Sequence, residues 1–268
     1  DPEALADAII KTYRRFGADG ARIFTDLFLV SEAMGAKVRK PEDNTADLEE
    51  PAINDMSEFD KLKVIDPYTQ GRIPVHLRAI EIVRDEIASE VGVTASVVGP
   101  FTNAFFLIGV EKMTKMLLKD PESVHKLCEI SLQSCIALTD AVLEKGVGVT
   151  ISEPLSSCTV VSPKHFREFS APYLKRLIDH IKARTGKLVI HICGITDPIW
   201  DDLVEMGVDV LSIDNVADME KCAETVGDKM VIAGNVDPSA IMYAGSREDV
   251  RKATIKCAKQ GLKAKKGF

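Results

Sequence analysis

The residues His191 and Cys193, in the run Leu188-Val-Ile-His-Ile-Cys-Gly194, have the types and spacing of a metal site. The run is apolar enough to be a buried β-strand, in which alternate side chains point to one side. An imidazole nitrogen and a thiol sulfur on one face suit tetrahedral zinc, and Gly194 lets the backbone turn beyond them. The same spacing is more often that of a packed core pair, and the position at a strand end makes the metal site an equal alternative. No second cysteine-rich pair is visible, which favours an open, catalytic site.

Other predicted strands also end in polar side chains. These residues are Asp26, Glu153, Asp214 and Asn235. Glu153 has three open interpretations, as a third metal ligand, as a general base or as a hydrogen-bonding brace for its loop. Asp214 and Asn235 are predicted to position substrate, and Asp26 to be catalytic. Capping of the helices that follow is the alternative for all three. Phe101, in the block Gly99-Pro-Phe-Thr102, is a further predicted substrate contact.

A regular alternation of strands and helices would position these side chains. The predicted strands are 21–26, 94–99, 147–152, 187–192, 209–213 and 229–233, and the main predicted helices are 74–90, 103–118, 121–145, 163–184, 196–206, 217–226 and 246–261. This order predicts parallel strands joined by right-handed crossovers, with all C-terminal ends at one mouth. An open doubly wound sheet gives the same pattern. No βα turn carries a glycine-rich nucleotide motif, so a (β/α)₈ barrel of the TIM type is favoured.

The predicted organisation is a single barrel domain over residues 1–268, interrupted by a charged segment at 37–70. This segment lacks helical periodicity and contains prolines, so we predict an irregular excursion or a short hairpin. Six strands are visible where a complete barrel has eight. We therefore expect the chain to be a fragment that lacks the first and last strands.

Composition excludes several classes of function. A net charge of −7 argues against nucleic acid or an anionic membrane as the main partner. No apolar run approaches the roughly 18 residues of a membrane span. The six cysteines lack the regular spacing of a disulfide scaffold, so free thiols and a cytoplasmic location are expected.

Several blocks resemble the uroporphyrinogen decarboxylase superfamily. They are Ile23-Phe-Thr-Asp26, Glu32-Ala-Met-Gly35, Gly99-Pro-Phe-Thr102, Glu153 with Ser162-Pro163, Phe169-Ser-Ala-Pro-Tyr173 and Gly234-Asn-Val-Asp-Pro238. Their order covers most of the chain and implies a (β/α)₈ barrel with its active site at the strand C-termini. The decarboxylases carry no His-x-Cys on this strand. They have a tyrosine where this chain has Phe106, and a serine where it has Pro154. The motif of His191 and Cys193 is similar to that of the methylcobalamin:coenzyme M methyltransferases.

That resemblance implies zinc, a methylated corrinoid on a separate carrier protein, and a small thiol such as coenzyme M. It also implies a third ligand cysteine, which we expect beyond residue 268, because Cys257 falls on a predicted helix. Asp26 matches the carboxylate that faces the substrate's pyrrole nitrogens in the decarboxylases. Here it would orient the thiol or contact the corrinoid. The 37–70 segment is a candidate docking surface for the carrier protein at the mouth of the barrel, and an ordinary solvated loop is the alternative.

Three other functions stay open at this point. A methyltransferase that loads the corrinoid from a methyl donor would use the same metal motif, and thiol dependence would distinguish it. A decarboxylase would need no metal, and a catalytically inactive barrel would bind a partner without turnover.

Overall fold

The computed structural model describes residues 1–24 and 26–268. Six parallel strands form one curled sheet, and the first and last of them in chain order lie at its edges. In sheet order they are β1 (Gly20–Ile23), β4 (Gly92–Val98), β5 (Gly148–Ser152), β6 (Val189–Ile192), β7 (Val210–Ile213) and β8 (Val231–Ala233). The predicted parallel architecture of a TIM-type barrel with six strands is confirmed. Two further strands, β2 (Lys37–Arg39) and β3 (Asp47–Glu50), pair antiparallel as a hairpin within the 37–70 segment.

Helices cover the convex side of the sheet. They are α1 (Pro2–Phe16), α2 (Leu29–Ala33), α3 (Ile73–Ile87), α4 (Pro100–Ile108), α5 (Val110–Lys119), α6 (Pro121–Glu144), α7 (Pro163–His165), α8 (Ala171–Thr185), α9 (Trp200–Glu205), α10 (Met219–Val226) and α11 (Arg247–Gly261). Many begin at a residue that caps the free backbone N–H groups of the first turn. Asp1 caps α1, Asp120 caps α6 and Ser246 forms a capping box on α11.

Two predicted helices are divided. The predicted helix 103–118 is α4 and α5, separated at Gly109, whose φ of 90° lies outside helical values. The predicted helix 163–184 is α7, a π-helical turn at Phe166–Ser170 and α8. Among the described residues, no helix is both long and apolar enough to cross a membrane.

The two faces of the sheet differ in chemistry. On β6, Ile190 and Ile192 are fully buried towards the helices, whereas His191 between them faces the concave side and is half-buried. The parallel register aligns His191 with Ser152 on β5 and Ser212 on β7, so all three share the concave face. The apolar core therefore fills the helix-facing side, and polar groups collect on the concave side.

Candidate active site

The C-terminal end of β6 brings an imidazole and a thiol together. His191 Nε2 lies 3.0 Å from Cys193 Sγ. On the other side of the ring, Nδ1 lies 3.1 Å from the Ser212 carbonyl oxygen and 3.0 Å from the Ser212 hydroxyl. A carbonyl oxygen only accepts hydrogen bonds, so Ser212 favours the tautomer with the proton on Nδ1. Nε2 is then left with its lone pair directed towards the thiol.

Burial favours the neutral forms of both side chains. Desolvation lowers the pKa of His191, and the positive charge of Arg22 adds to this effect, while the hydrogen bond to the Ser212 backbone and the charge of Asp214 act in the opposite direction. Desolvation and the charge of Asp214 raise the pKa of the Cys193 thiol. A neutral imidazole is already in the form that binds a cation, whereas the thiol must lose its proton when it becomes a ligand.

The donor atoms fit zinc as a pair. Ligands of one tetrahedral zinc ion, bound through nitrogen and sulfur, stand about 3.5 Å apart. The observed 3.0 Å between Nε2 and Sγ is close to that value, so small side-chain rotations would accommodate the ion. In residues 1–24 and 26–268, no group of three or more His, Cys, Asp and Glu side chains meets at one point. His191 and Cys193 therefore supply two of the ligands that a tetrahedral zinc site needs.

The pair opens onto a cavity of about 310 Å³ at the mouth of the sheet. Asp214 and Asn235 line the same cavity, so the structure brings four of the seven predicted site residues together. Asp214 accepts hydrogen bonds from the N–H groups of Gly194, at 2.7 Å, and Val216, at 3.1 Å. The Asn235 amide donates to the carbonyl oxygen of Asp214 at 2.9 Å. These bonds link the ends of β6, β7 and β8 and hold the turn after Cys193.

Glu153 and Phe101 lie apart from this cavity. The Glu153 carboxylate is fully buried, and it accepts hydrogen bonds from the N–H groups of Thr102, at 2.6 Å, and Phe101, at 3.3 Å. A side chain at Gly99 would place Cβ 1.8 Å from Glu153 Oε2, so only glycine leaves room. The Gly99-Pro-Phe-Thr102 block is thus a helix start built around a carboxylate. These contacts match the bracing interpretation of Glu153, and Phe101 is buried beside Phe105.

Asp26 also lies outside the group around His191. Its carboxylate pairs with the guanidinium of Arg72 at 2.6 Å and caps the N–H of Phe28. Arg72 contacts Glu32 as well, and Glu32 binds Lys40 of the hairpin. This network ties the end of β1 to the segment that follows.

The structure shows what Cys257 and Ser212 contact, which their residue types alone did not predict. Cys257 Sγ donates to the Gly234 carbonyl oxygen at 3.0 Å, which places it at the β8 turn and apart from the His191 pair. Ser212 was not predicted to act at the site. A polar residue within the apolar run of β7 was the available signal, but its pairing with His191 depends on strand register.

Comparison with known proteins agrees with this fold and this site. A family model described as uroporphyrinogen decarboxylase matches residues 1–268. The chain belongs to the uroporphyrinogen decarboxylase family. The family resemblance inferred from the sequence blocks is confirmed.

Similar members of the family differ in their named activities. A methylcobamide:CoM methyltransferase of Methanosarcina barkeri is 28% identical over 97% of this chain and 76% of its own length. A methylated-thiol–coenzyme M methyltransferase of Methanosarcina mazei is 28% identical over 97% and 70%. A uroporphyrinogen decarboxylase of Carboxydothermus hydrogenoformans is 27% identical over 97% and 75%. These similar identities do not distinguish methyl transfer from decarboxylation, so the residues of the site must distinguish the two reactions.

A solved structure supports the fold of the chain. A methyltransferase from Methanosarcina mazei superimposes with a TM-score of 0.90 at 24% sequence identity. The match covers 98% of this chain and 78% of that protein. The family's barrel is therefore the fold of this chain.

Proposed function

We propose that this family member transfers a methyl group from a methylated corrinoid to the sulfur of a small thiol such as coenzyme M. The observation that carries the proposal is the meeting of His191 Nε2 and Cys193 Sγ on the cavity wall. The named activities of the Methanosarcina relatives agree with it. A corrinoid carrier protein is the partner that such chemistry implies.

His191 and Cys193 would hold zinc. Bound zinc keeps a thiol sulfur deprotonated near neutral pH and offers it an open position. Ser212 contacts Nδ1, which leaves Nε2 as the nitrogen that would bind the metal, and outer partners of metal-binding histidines have this part in other proteins. Asp214 holds the backbone beyond Cys193, and Asn235 holds the backbone of Asp214 in turn. Both residues line the space where the thiol would enter.

Asp26 and Glu153 have different proposed parts. For Asp26 we propose a contact with thiol or corrinoid, because it follows strand β1 at the same mouth, where its carboxylate is paired with Arg72. Glu153 donates its own N–H to the His191 carbonyl oxygen at 2.9 Å, so it supports the strand that carries the histidine. For Glu153 we propose a structural part, because both carboxylate oxygens are already engaged.

The runner-up is methyl transfer from a donor compound to the corrinoid. His191 and Cys193 would bind the metal in that reaction too. The two activities differ in the direction of methyl transfer. Decarboxylation is less favoured because Phe106 and Pro154 occupy the places of the decarboxylase tyrosine and serine. Methylcobalamin consumption that requires added thiol supports the main proposal, and consumption of a methyl donor without thiol supports the runner-up.

Zinc content of the purified full-length protein, measured by elemental analysis, tests the proposal first. We expect about one zinc ion per chain after metal reconstitution, lost in the double variant His191→Ala/Cys193→Ala. The matched control is His165→Ala/Cys158→Ala, which changes two residues that are also half-buried. Retained zinc in the first double variant, or no zinc in folded wild type, would contradict the proposal.

A further inference from the structure

The last helix of the chain differs in charge from the rest of the molecule. Residues 247–268, which are α11 and the turn after it, contain eight Lys and Arg side chains and two acidic ones. The whole chain has a formal net charge of −7, so the excess of acidic groups lies entirely outside this segment. A local patch of positive charge attracts an acidic partner even when the net charge of the protein is negative.

The basic side chains share the exposed side of α11. Residues three, four and seven apart in a helix lie on one side of it. Cys257 and Gly261 are the buried side of α11, and Cys257 contacts the turn after β8. The opposite side consists of exposed residues, which form the α11 basic face. They are Arg251, Lys252, Ile255, Lys256, Lys259 and Leu262.

Most cations of the α11 basic face are not neutralised within the chain. Lys252 has one ion pair, a long one of 3.8 Å with the exposed carboxylate of Glu248. Arg251, Lys256 and Lys259 form no ion pair with any carboxylate in residues 1–24 and 26–268. The negative end of the helix dipole accounts for Lys259 in the last turn, but not for Arg251 or Lys256. The face therefore carries more positive charge than the helix dipole and local ion pairs explain.

Two apolar side chains lie among these cations. Ile255 is 40% exposed and Leu262 is 73% exposed. They are two helical turns apart, so they lie along one line of the face, and Lys259 stands between them in the sequence. Exposed apolar side chains surrounded by polar ones are typical of a site that contacts another protein. Lysines around such a centre increase the rate at which an acidic partner is captured.

We propose that the α11 basic face is a docking surface for a protein that presents Asp and Glu side chains around an apolar centre. A protein surface fits this face better than nucleic acid or an anionic membrane, because those extended polyanions would also meet the acidic remainder of the chain. This docking does not depend on the methyl transfer proposed above.

The position of Lys256 connects the α11 basic face to the mouth of the sheet. Lys256 and Cys257 line a cavity of about 310 Å³ between α11 and the turns after β7 and β8. Asn235 lines both this cavity and the one that contains His191 and Cys193. A protein docked on the α11 basic face therefore stands beside the candidate active site.

Binding of an acidic peptide to the full-length protein tests the docking surface. The probe is a fluorescein-labelled peptide of glutamates with a leucine at every fourth position, and its binding is measured by fluorescence anisotropy. The triple variant Arg251→Gln/Lys256→Gln/Lys259→Gln should bind it about tenfold more weakly than wild type, as expected for the loss of three surface ion pairs. Added salt should weaken the binding to wild type, because exposed charges are screened. Ile255→Ser/Leu262→Ser should also weaken it, because the leucines lose their contacts.

A matched control separates the α11 basic face from the overall charge of the protein. Lys115→Gln/Lys119→Gln/Lys126→Gln removes the same number of positive charges from exposed positions on α5 and α6. We expect this variant to bind the peptide as wild type does. Equal losses in the two triple variants, or no binding of the peptide by wild type, would overturn the proposal.

Two further probes distinguish a protein partner from other polyanions. Vesicles of phosphatidylcholine and phosphatidylglycerol present an anionic membrane, and duplex DNA presents a phosphate backbone. We expect both to bind wild type more weakly than the peptide does at equal salt. Tighter binding of either one, lost in the α11 triple variant, would assign the face to a membrane or to nucleic acid and overturn the protein partner. None of these measurements needs zinc, a methyl donor or turnover, so they remain decisive if the proposed reaction fails.

Discussion

Two strand ends in this molecule look alike in sequence and differ in structure. β6 ends in His191 and Cys193, which stay half-buried beside an open cavity. β5 ends in Glu153, which is fully buried with both carboxylate oxygens bound to the start of α4. The β6 end keeps donor atoms available to a ligand, and the β5 end uses its polar atoms to hold the fold. Position at a strand end is therefore a guide to function only where the polar atoms remain available.

Removing the Glu153 carboxylate is the strongest test of this difference between the two strand ends. Glu153→Ala leaves the N–H groups of Phe101 and Thr102 buried without acceptors, at a cost of about 1–3 kcal/mol each. We expect a loss of roughly 3 kcal/mol in the free energy of unfolding, measured in urea, with zinc content per folded chain unchanged. Glu153→Gln keeps one acceptor oxygen and should lose less.

The contrary result is loss of zinc from a stable Glu153→Ala protein. It would place the carboxylate at the metal site and erase the distinction between the two strand ends.

The pH dependence of stability tests the same carboxylate without removing it. Burial raises the pKa of Glu153 from 4.5 to about 7, although its hydrogen bonds act in the opposite direction. Between these values the folded chain holds one more proton than the unfolded chain, so stability falls as pH rises. The fall should amount to about 3 kcal/mol between pH 4.5 and 7. Wild type measured against Glu153→Gln isolates this contribution, because the amide does not titrate; parallel curves for the two proteins would contradict it.

The sequence predicted the parts of this comparison that depend on alternation and strand order. It placed His191 and Cys193 on one face, and it gathered the strand ends at one mouth. The burial of Glu153 depends on the space that Gly99 leaves, and the pairing of His191 with Ser212 depends on register between strands. Both are relations between distant segments, which a single sequence does not display. The break at Gly109 was similarly hidden by apolar residues that continue on both sides.

Gly194 and Gly186 allow the β6 end to be tested at its backbone. Both have a positive φ, 75° and 73°, but only Gly194 is crowded: an added Cβ would lie 2.4 Å from Thr159 Oγ1. Gly186→Ala should cost about 1 kcal/mol from the left-handed conformation alone. Gly194→Ala should cost about 2 kcal/mol or more and should weaken zinc binding by moving Cys193. Equal effects of the two changes on stability and on zinc would mean that the turn does not position the thiol.

Ser212 offers the smallest and most specific change at the β6 end. Its hydroxyl and its carbonyl oxygen both contact His191 Nδ1, and Ser212→Ala removes only the hydroxyl. We expect zinc affinity, measured by competition with a chelator, to fall about tenfold, at the low end for outer partners of metal ligands. Ser96→Ala is the matched control, because it removes a hydroxyl from the same face that contacts Ser152 and not the histidine. Equal zinc affinities in the two variants would show that the backbone carbonyl alone orients the imidazole. The strand register, and not the side chain of Ser212, would then keep the nitrogen of His191 available to the metal.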